Sequence, residues 1–357
     1  MLFNIILSNY PEEILKRIIP LEWDNFLILK LSQIEEVLST YDCTDDNINI
    51  YSIDKIFYYS KNYHNQILNY SDSLWKIFND KYYMRKNLSS ASDILSKISN
   101  LQSIQWNDNN SVKLIAKPIW GFSKQNNNLF MLKNNELFNN NDNINYIFEE
   151  YIDNNYPKIC VIGCIYDKKI DILSIWDNIY YDNYPFIFKT VNYPSIYSNN
   201  KHIINKYTTT LNELIQKTDC NNLIIEIEMY LINDQVKIMK IKPFIRFEYL
   251  PILSITGYNV FKILENLNKK QKPIKTEKIG YGICRYNIGR AKKKKKIINS
   301  KIKNCFTINL GEQDNYYTYY FSYTDNNFDN LLKIVNSESD LIRCCNWCSP
   351  AQPKLII

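Results

Sequence analysis

Hydrophobic positions along this chain fall mostly into short runs separated by polar, Asn-rich turns, and only a few stretches repeat at helical spacing. LFNII (residues 2–6) and FLILKL (residues 26–31) are apolar runs of strand length. PEEILKRI between them opens with Pro11 and carries acids in its first turn, as a helix start does. Together they predict a small β-α-β opening. The Asn- and Tyr-rich passage that follows, to about Tyr70, has no period and predicts no element. From Ser71, SDSLWKIFNDKYYMRKNL sets Leu74, Trp75, Phe78, Tyr82 and Leu88 along one side of a single helix.

VKLIAKPIW, NLFMLK, YIFEEYI, KICVIGCIYD and KIDILSIWD then alternate with Asn-rich turns, which predicts antiparallel strands and hairpins. After a looser tract to Lys201, KYTTTLNELIQKT predicts a helix. NNLIIEIEMYLINDQVKIMKIKP predicts two strands joined by a turn at Ile232, Asn233, Asp234 and Gln235. SITGYNVFKILENLNKK predicts the next helix. From Gly280, CFTINL and YYTYYFSY read as a strand pair and NNFDNLLKIVN as a closing helix. The order is that of an α+β protein without an internal repeat.

Composition narrows the class. The 357 residues suffice for two or three subdomains, and 45% hydrophobic with 22% charged residues excludes a wholly disordered chain. Only two histidines occur, His64 and His202, far apart in sequence, which argues against a His-based metal or catalytic site. Nine cysteines lack regular spacing and the first residues lack a basic, cleavable start, so a reducing compartment is expected. No apolar run approaches the 18 or so residues that span a bilayer, and the expectation is a soluble, cytoplasmic protein.

The abundance of Asn, Ile, Lys and Tyr is that of an AT-rich coding sequence, so ordered motifs count for more than single residues. Much of the net charge of +6 traces to AKKKKK at residues 291–296. That run reads as a solvated loop or helix end, with nucleic-acid binding the minor alternative. Cys345 and Cys348 form a Cys-x-x-Cys pair, but no second Cys/His pair completes a zinc site, and a frayed, reduced terminus is expected.

Several of these stretches stand in an order that resembles the ATP-grasp ligases, over roughly residues 71–268. NDKYYMRKNL resembles the helix start at which that family turns a basic residue toward the nucleotide phosphates, here Lys81. AKPIWGF resembles the strand that ends in a Lys-Pro pair before a glycine loop. Lys117 would then reach a phosphate as a point charge, with Gly121 opening the loop over the triphosphate. YIFEEYIDNNYPKICV (residues 146–161) resembles the hinge strand whose backbone reads the adenine edge, with Glu149, Glu150 and Ile152 at the contacting positions. IEMYLINDQVKIMKIKPFIRF resembles the paired strands that supply magnesium ligands, and Glu228 matches the first carboxylate.

The chain departs from the pattern at specific places. After Gly121 the loop carries Phe122, Ser123, Lys124, Gln125 and three asparagines where the family has glycines. Tyr156 and Pro157 stand near the place of the acid that holds the ribose. Twelve residues beyond Glu228, Lys240 and Lys242 replace a glutamate and an asparagine. An ammonium group cannot coordinate magnesium, although it can neutralise a phosphate directly. Drift in an AT-rich genome is the other account of the two lysines. Arg246, two residues beyond the expected arginine, is the catalytic candidate, and Glu226 is a second ligand candidate after a register shift of two.

The resemblance implies an ATP-grasp fold with a shortened N-terminal β-α-β domain (residues 1–75), a lid (76–150), a C-terminal subdomain (151–270) and a small β-rich unit (271–357). Within that last unit, Gly280 to about Asn336 loosely resembles the module of ATP-grasp proteins associated with pterin cofactor synthesis. ATP and Mg²⁺ are the implied cofactors, and a small-molecule carboxylate and amine the implied substrates, joined through an acyl phosphate. Homodimers are frequent in the family. The alternative is an inactive nucleotide-binding protein that serves as a partner subunit.

Overall fold

The computed structural model describes residues 71–92, 95–99, 114–119, 146–153, 155–181, 184–245, 256–275 and 280–290, together with the strand segments 3–7, 25–30, 48–52, 103–105, 130–132, 137–139, 305–313 and 316–325 and some single positions. At the start, β1 (Phe3–Leu7) lies between β2 (Phe26–Leu29) and β3 (Ile48–Ser52), parallel to both. A parallel β1–β2 pair requires a crossover connection, and residues 15 and 16 within it are helical, as the sequence predicts. β3 lies in the passage that showed no period.

The expected single helix after Ser71 is two. α1 (Asp72–Asn79) is capped by the Ser71 hydroxyl, which accepts from the Leu74 N–H, and α2 (Lys81–Asn87) follows after one residue. That residue, Asp80, is extended at φ −104°, ψ 104°, and its carboxylate accepts the Tyr83 N–H at 2.8 Å. An Asp that caps its own backbone this way competes with helix continuation, and here the cap wins. The break resets the buried face. Leu74, Ile77, Met84, Arg85 and Leu88 are buried, whereas the expected Trp75, Phe78 and Tyr82 are only partly so.

Six strands follow: β4 (Leu95–Ser99), β5 (Ser103–Gln105), β6 (Leu114–Pro118), β7 (Phe130–Leu132), β8 (Leu137–Asn139) and β9 (Tyr146–Glu150). Four of them form an antiparallel sheet in the order β4-β9-β6-β7, and β5 pairs with β8. Lys117 is on β6, an inner strand whose side chains are all buried.

The remainder is built on one antiparallel sheet. β10 (Lys158–Tyr166), β11 (Lys169–Tyr181) and β12 (Tyr184–Tyr193) precede α3 (Lys201–Thr218). β13 (Leu223–Ile232) and β14 (Gln235–Lys242) form the expected hairpin. Asn233 and Asp234 both adopt positive φ in its two-residue turn, as tight hairpins demand. α4 (Val260–Asn268) is shorter than the predicted helix because Asn259 caps it, accepting from the N–H groups of Phe261 and Lys262. β15 (Tyr281–Arg290), β16 (Cys305–Gln313) and β17 (Tyr316–Asp325) complete the order β14-β13-β10-β11-β12-β15-β17-β16, so the C-terminal strands continue the same sheet. β12 came from the tract read as loose.

Both faces of this sheet are covered along β10. Along β10, Ile159, Val161 and Ile165 join Leu74, Met84, Tyr207 and Leu211 from the three helices. The alternate Cys160, Ile162 and Cys164 pack with Trp23, Val260 and Phe261 on the other side. Period-two alternation with both faces apolar explains why KICVIGCIY shows no polar face. The closing helix expected at NNFDNLLKIVN, the lysine run at 291–296 and the Cys-rich tail lie outside the described residues, apart from Asn327 and Asp329. Among the described residues no helix is long and apolar enough to cross a membrane.

Candidate functional site

The four-stranded sheet β4-β9-β6-β7, labelled the lid sheet after the subdomain expected there, and the eight-stranded large sheet meet where β9 ends and the chain leads into β10. Around this junction the fold collects charged side chains from elements far apart in sequence. Lys81 opens α2 and leans on the end of β6. Its backbone N–H donates to the Ile119 carbonyl at 3.1 Å and its ammonium to the Pro118 carbonyl at 2.7 Å. The residue is only partly exposed, and burial brings its ammonium down to about 7, with the positive charges of Lys240 and Lys117 acting in the same direction.

One helical turn on, Arg85 is 1% exposed and holds the junction together. Its Nε donates to Glu149 Oε1 at 3.0 Å, and Nη1 to the carbonyls of Ala91 at 2.8 Å and Ile238 at 2.7 Å. Its Nη2 donates to the Met239 carbonyl at 2.7 Å. A guanidinium is a rigid fork of donors, and here it joins α2, lid strand β9 and large-sheet strand β14 at one point.

Glu149 receives a second cation. Lys117 Nζ donates to its Oε2 at 2.5 Å. Burial alone would push this carboxyl up; Arg85 and Lys117 outweigh it and hold it at about 2. The buried lysine stem on β6 is thereby explained by a charge partner diagonally across on the neighbouring strand β9, where Ile147 is opposite Lys117 and Glu149 is opposite Ile115.

On the large sheet, Lys242 stands opposite Glu226, and Lys240 opposite Glu228. The Lys242 ammonium donates to Glu226 Oε1 at 3.1 Å and to Glu228 Oε1 at 2.9 Å; the three side chains are 5%, 0% and 7% exposed. Carboxylates two residues apart on one strand share a face, and Lys242 lies between them. Next to this pair on β10, Lys158 sets its ammonium 5.1 Å from the centre of the Tyr230 ring. Burial lowers Lys158 to about 8; Glu228 opposes that shift and Lys240 and Lys117 add to it.

This donor set does not fit magnesium, which takes several hard oxygen ligands. The two carboxylates already share an ammonium, a lysine faces Glu228, and no group of three or more His, Cys, Asp or Glu suited to a metal occurs among the described residues. Glu228, the expected metal ligand, is a partner of Lys242 in this arrangement.

Of the other expected residues, Glu150 Oε2 accepts from Lys237 Nζ at 3.1 Å, and Ile152 is buried against Tyr230 just beyond the end of β9. Gly121 and Arg246 lie outside the described residues. Sequence reasoning missed Arg85 and Lys158. Arg85 is four residues after Lys81, hence on the same helix side, and Lys158 is a cation opening an apolar strand; both signals were present but looked like surface charge.

No protein-family model and no curated protein matches the sequence. Solved structures do match its fold. An N5-carboxyaminoimidazole ribonucleotide synthetase in complex with ADP superposes with a TM-score of 0.64 at 11% identity, covering 96% of this chain and 97% of that one. An L-amino acid ligase from Bacillus licheniformis gives 0.60 at 9% identity over 95% and 97%. A protein from Archaeoglobus fulgidus assigned to the ATP-grasp superfamily gives 0.52 at 10% identity over 90% and 99%. The α+β fold is therefore the ATP-grasp fold, as the ordered motifs implied.

Proposed function

We propose, starting from the ATP-grasp fold, that the junction between the lid and the large sheet binds ATP and that the chain is an ATP-dependent carboxylate–amine ligase. The observation that carries this reading is the convergence of Lys81, Lys117, Lys158 and Lys240 from α2, β6, β10 and β14 at one junction, in a fold whose solved examples include an ADP complex. Lys81 and Lys117 would hold phosphate oxygens, and Glu149 fixes Lys117. The backbone of Glu150 and Ile152, where strand pairing ends, would meet the adenine edge.

The reaction is the one that the resemblance to ATP-grasp ligases implies. A substrate carboxylate oxygen attacks the γ-phosphorus, the bond to the β-phosphate oxygen breaks, and ADP leaves an acyl phosphate behind. The amine nitrogen then attacks the acyl carbon, loses a proton, and expels inorganic phosphate. The protein's part is positioning and charge neutralisation, with Arg246 as the guanidinium candidate for the developing negative charge.

A second reading, an inactive nucleotide-binding partner subunit, is favoured by one observation: Lys242 fills the space between Glu226 and Glu228. Incubation with ATP, a panel of carboxylates and hydroxylamine separates the two. Hydroxamate formed together with stoichiometric ADP supports the ligase. Nucleotide binding without turnover across the panel supports the second reading, and no binding refutes both.

A further inference from the structure

We infer that this site takes its nucleotide polyphosphate without a divalent cation, the lysines that converge on the junction supplying the counter-charge; the inference rests on the ATP-binding reading. A nucleoside triphosphate carries several negative charges, and a binding site must offset them with metal ions, with cations of its own, or with both. Here the oxygen donors a metal would use are committed. Glu226 and Glu228 both accept from the Lys242 ammonium in a setting with almost no solvent, and Glu149 is held by Arg85 and Lys117. Seating a metal between Glu226 and Glu228 would expel a buried ammonium and place two cations side by side, which the low local dielectric opposes.

Lysines surround these committed carboxylates. Lys240 is opposite Glu228, Lys158 is one strand further in, and Lys81 and Lys117 approach from the lid side. Their ammonium groups act on one another across the junction. Lys240 and Lys117 each depress both Lys81 and Lys158, in addition to burial. A polyanion placed among them would relieve that repulsion, whereas a magnesium-bound nucleotide would bring less negative charge and gain less.

The cations divide the labour among them. Lys242 acts as an internal counter-ion that keeps Glu226 and Glu228 compatible with burial. Arg85 does the same for Glu149 while tying the lid to β14. Lys81, Lys117, Lys158 and Lys240, which converge around these carboxylates, would meet phosphate oxygens as point charges.

The test is calorimetric titration of a non-hydrolysable ATP analogue into the full chain, once in excess EDTA and once in excess Mg²⁺, using wild type, Lys240→Gln and Lys240→Glu. Lys240 is partly exposed, so both variants are expected to fold, and circular dichroism checks that they do. The expected result is wild-type binding in EDTA at least as tight as in Mg²⁺. Lys240→Gln should weaken the EDTA affinity by about tenfold, as loss of one charged contact does. Lys240→Glu should weaken it further and make the remaining binding rise with Mg²⁺. Wild-type binding that requires Mg²⁺ overturns the inference and leaves ATP binding standing. Metal-independent binding untouched by either variant overturns the assignment to these lysines. Binding in neither medium overturns the inference together with the ATP-binding reading.

Discussion

Lys242 Nζ lies 2.9 Å from Glu228 Oε1, and the same ammonium is 3.1 Å from Glu226 Oε1. This contact turns a potential ligand pair into an internal ion triad. Buried triads of this kind contribute little net stability when complete, because desolvation offsets the attraction, but breaking one is costly. Lys242→Met is expected to destabilise the fold by about 3–5 kcal/mol, since it leaves two adjacent carboxylates without their shared cation. Urea unfolding of the variant measures this; a loss below about 1 kcal/mol would show that the triad is not formed.

Glu149 has the same character on the lid side. Glu149→Gln strands the Arg85 guanidinium and the Lys117 ammonium, with an expected loss of about 3–5 kcal/mol. The pH dependence has a definite sign. Because the folded carboxyl is held at about 2, below its ordinary 4.5, its contribution is fully present above about pH 4.5 and is lost as the pH falls toward 2. Acid titration of stability should therefore be shallower in Glu149→Gln than in wild type across that window.

Lys81 gives a prediction at neutral pH. Its ammonium is brought to about 7 by burial and by Lys240 and Lys117, against the opposing charges of Glu149 and Asp80. A bound phosphate would favour the protonated form and move the group back toward its ordinary 10.5. Nucleotide binding between about pH 7 and 10 should then take up protons, and affinity should fall as pH rises. Calorimetry in buffers of different ionisation enthalpy reads the uptake, which Lys81→Gln should reduce.

Gly163 sits on β10 at a register shift against β11, where an added Cβ would collide with the Asp171 carbonyl oxygen and the Tyr207 hydroxyl. Tyr207 is fully buried on α3 and donates to the Ile225 carbonyl at 3.2 Å, so neither neighbour gives way cheaply. Gly163→Ala should cost about 1–3 kcal/mol through overpacking. A lower melting temperature with unchanged nucleotide affinity is the expected pair of results.

The sequence showed the β13–β14 hairpin because Asn233 and Asp234 mark its turn, and it showed the central strands because their apolar runs are short and bounded by Asn. It hid the split between α1 and α2, since the apolar spacing runs through Asp80 as if the helix continued, and only the cap geometry reveals the stop. β3 and β12 were hidden by Asn and Tyr, residues this composition supplies everywhere. For the candidate site, motif order singled out Lys81, Lys117 and Glu149, but it did not show the ion pair between Lys117 and Glu149. The Lys117–Glu149 contact spans two strands whose register no local pattern fixes. Arg85, the residue that joins lid to sheet, looked like one more surface cation because charge alone does not report burial.

The most direct measurement is calorimetric titration of a non-hydrolysable ATP analogue into the wild-type chain and into Lys117→Ala, each verified as folded. Saturable binding with one site per chain, weakened about 10- to 100-fold in Lys117→Ala, is the predicted result. No saturable binding by the folded wild type, or equal affinity in the two proteins, would contradict it.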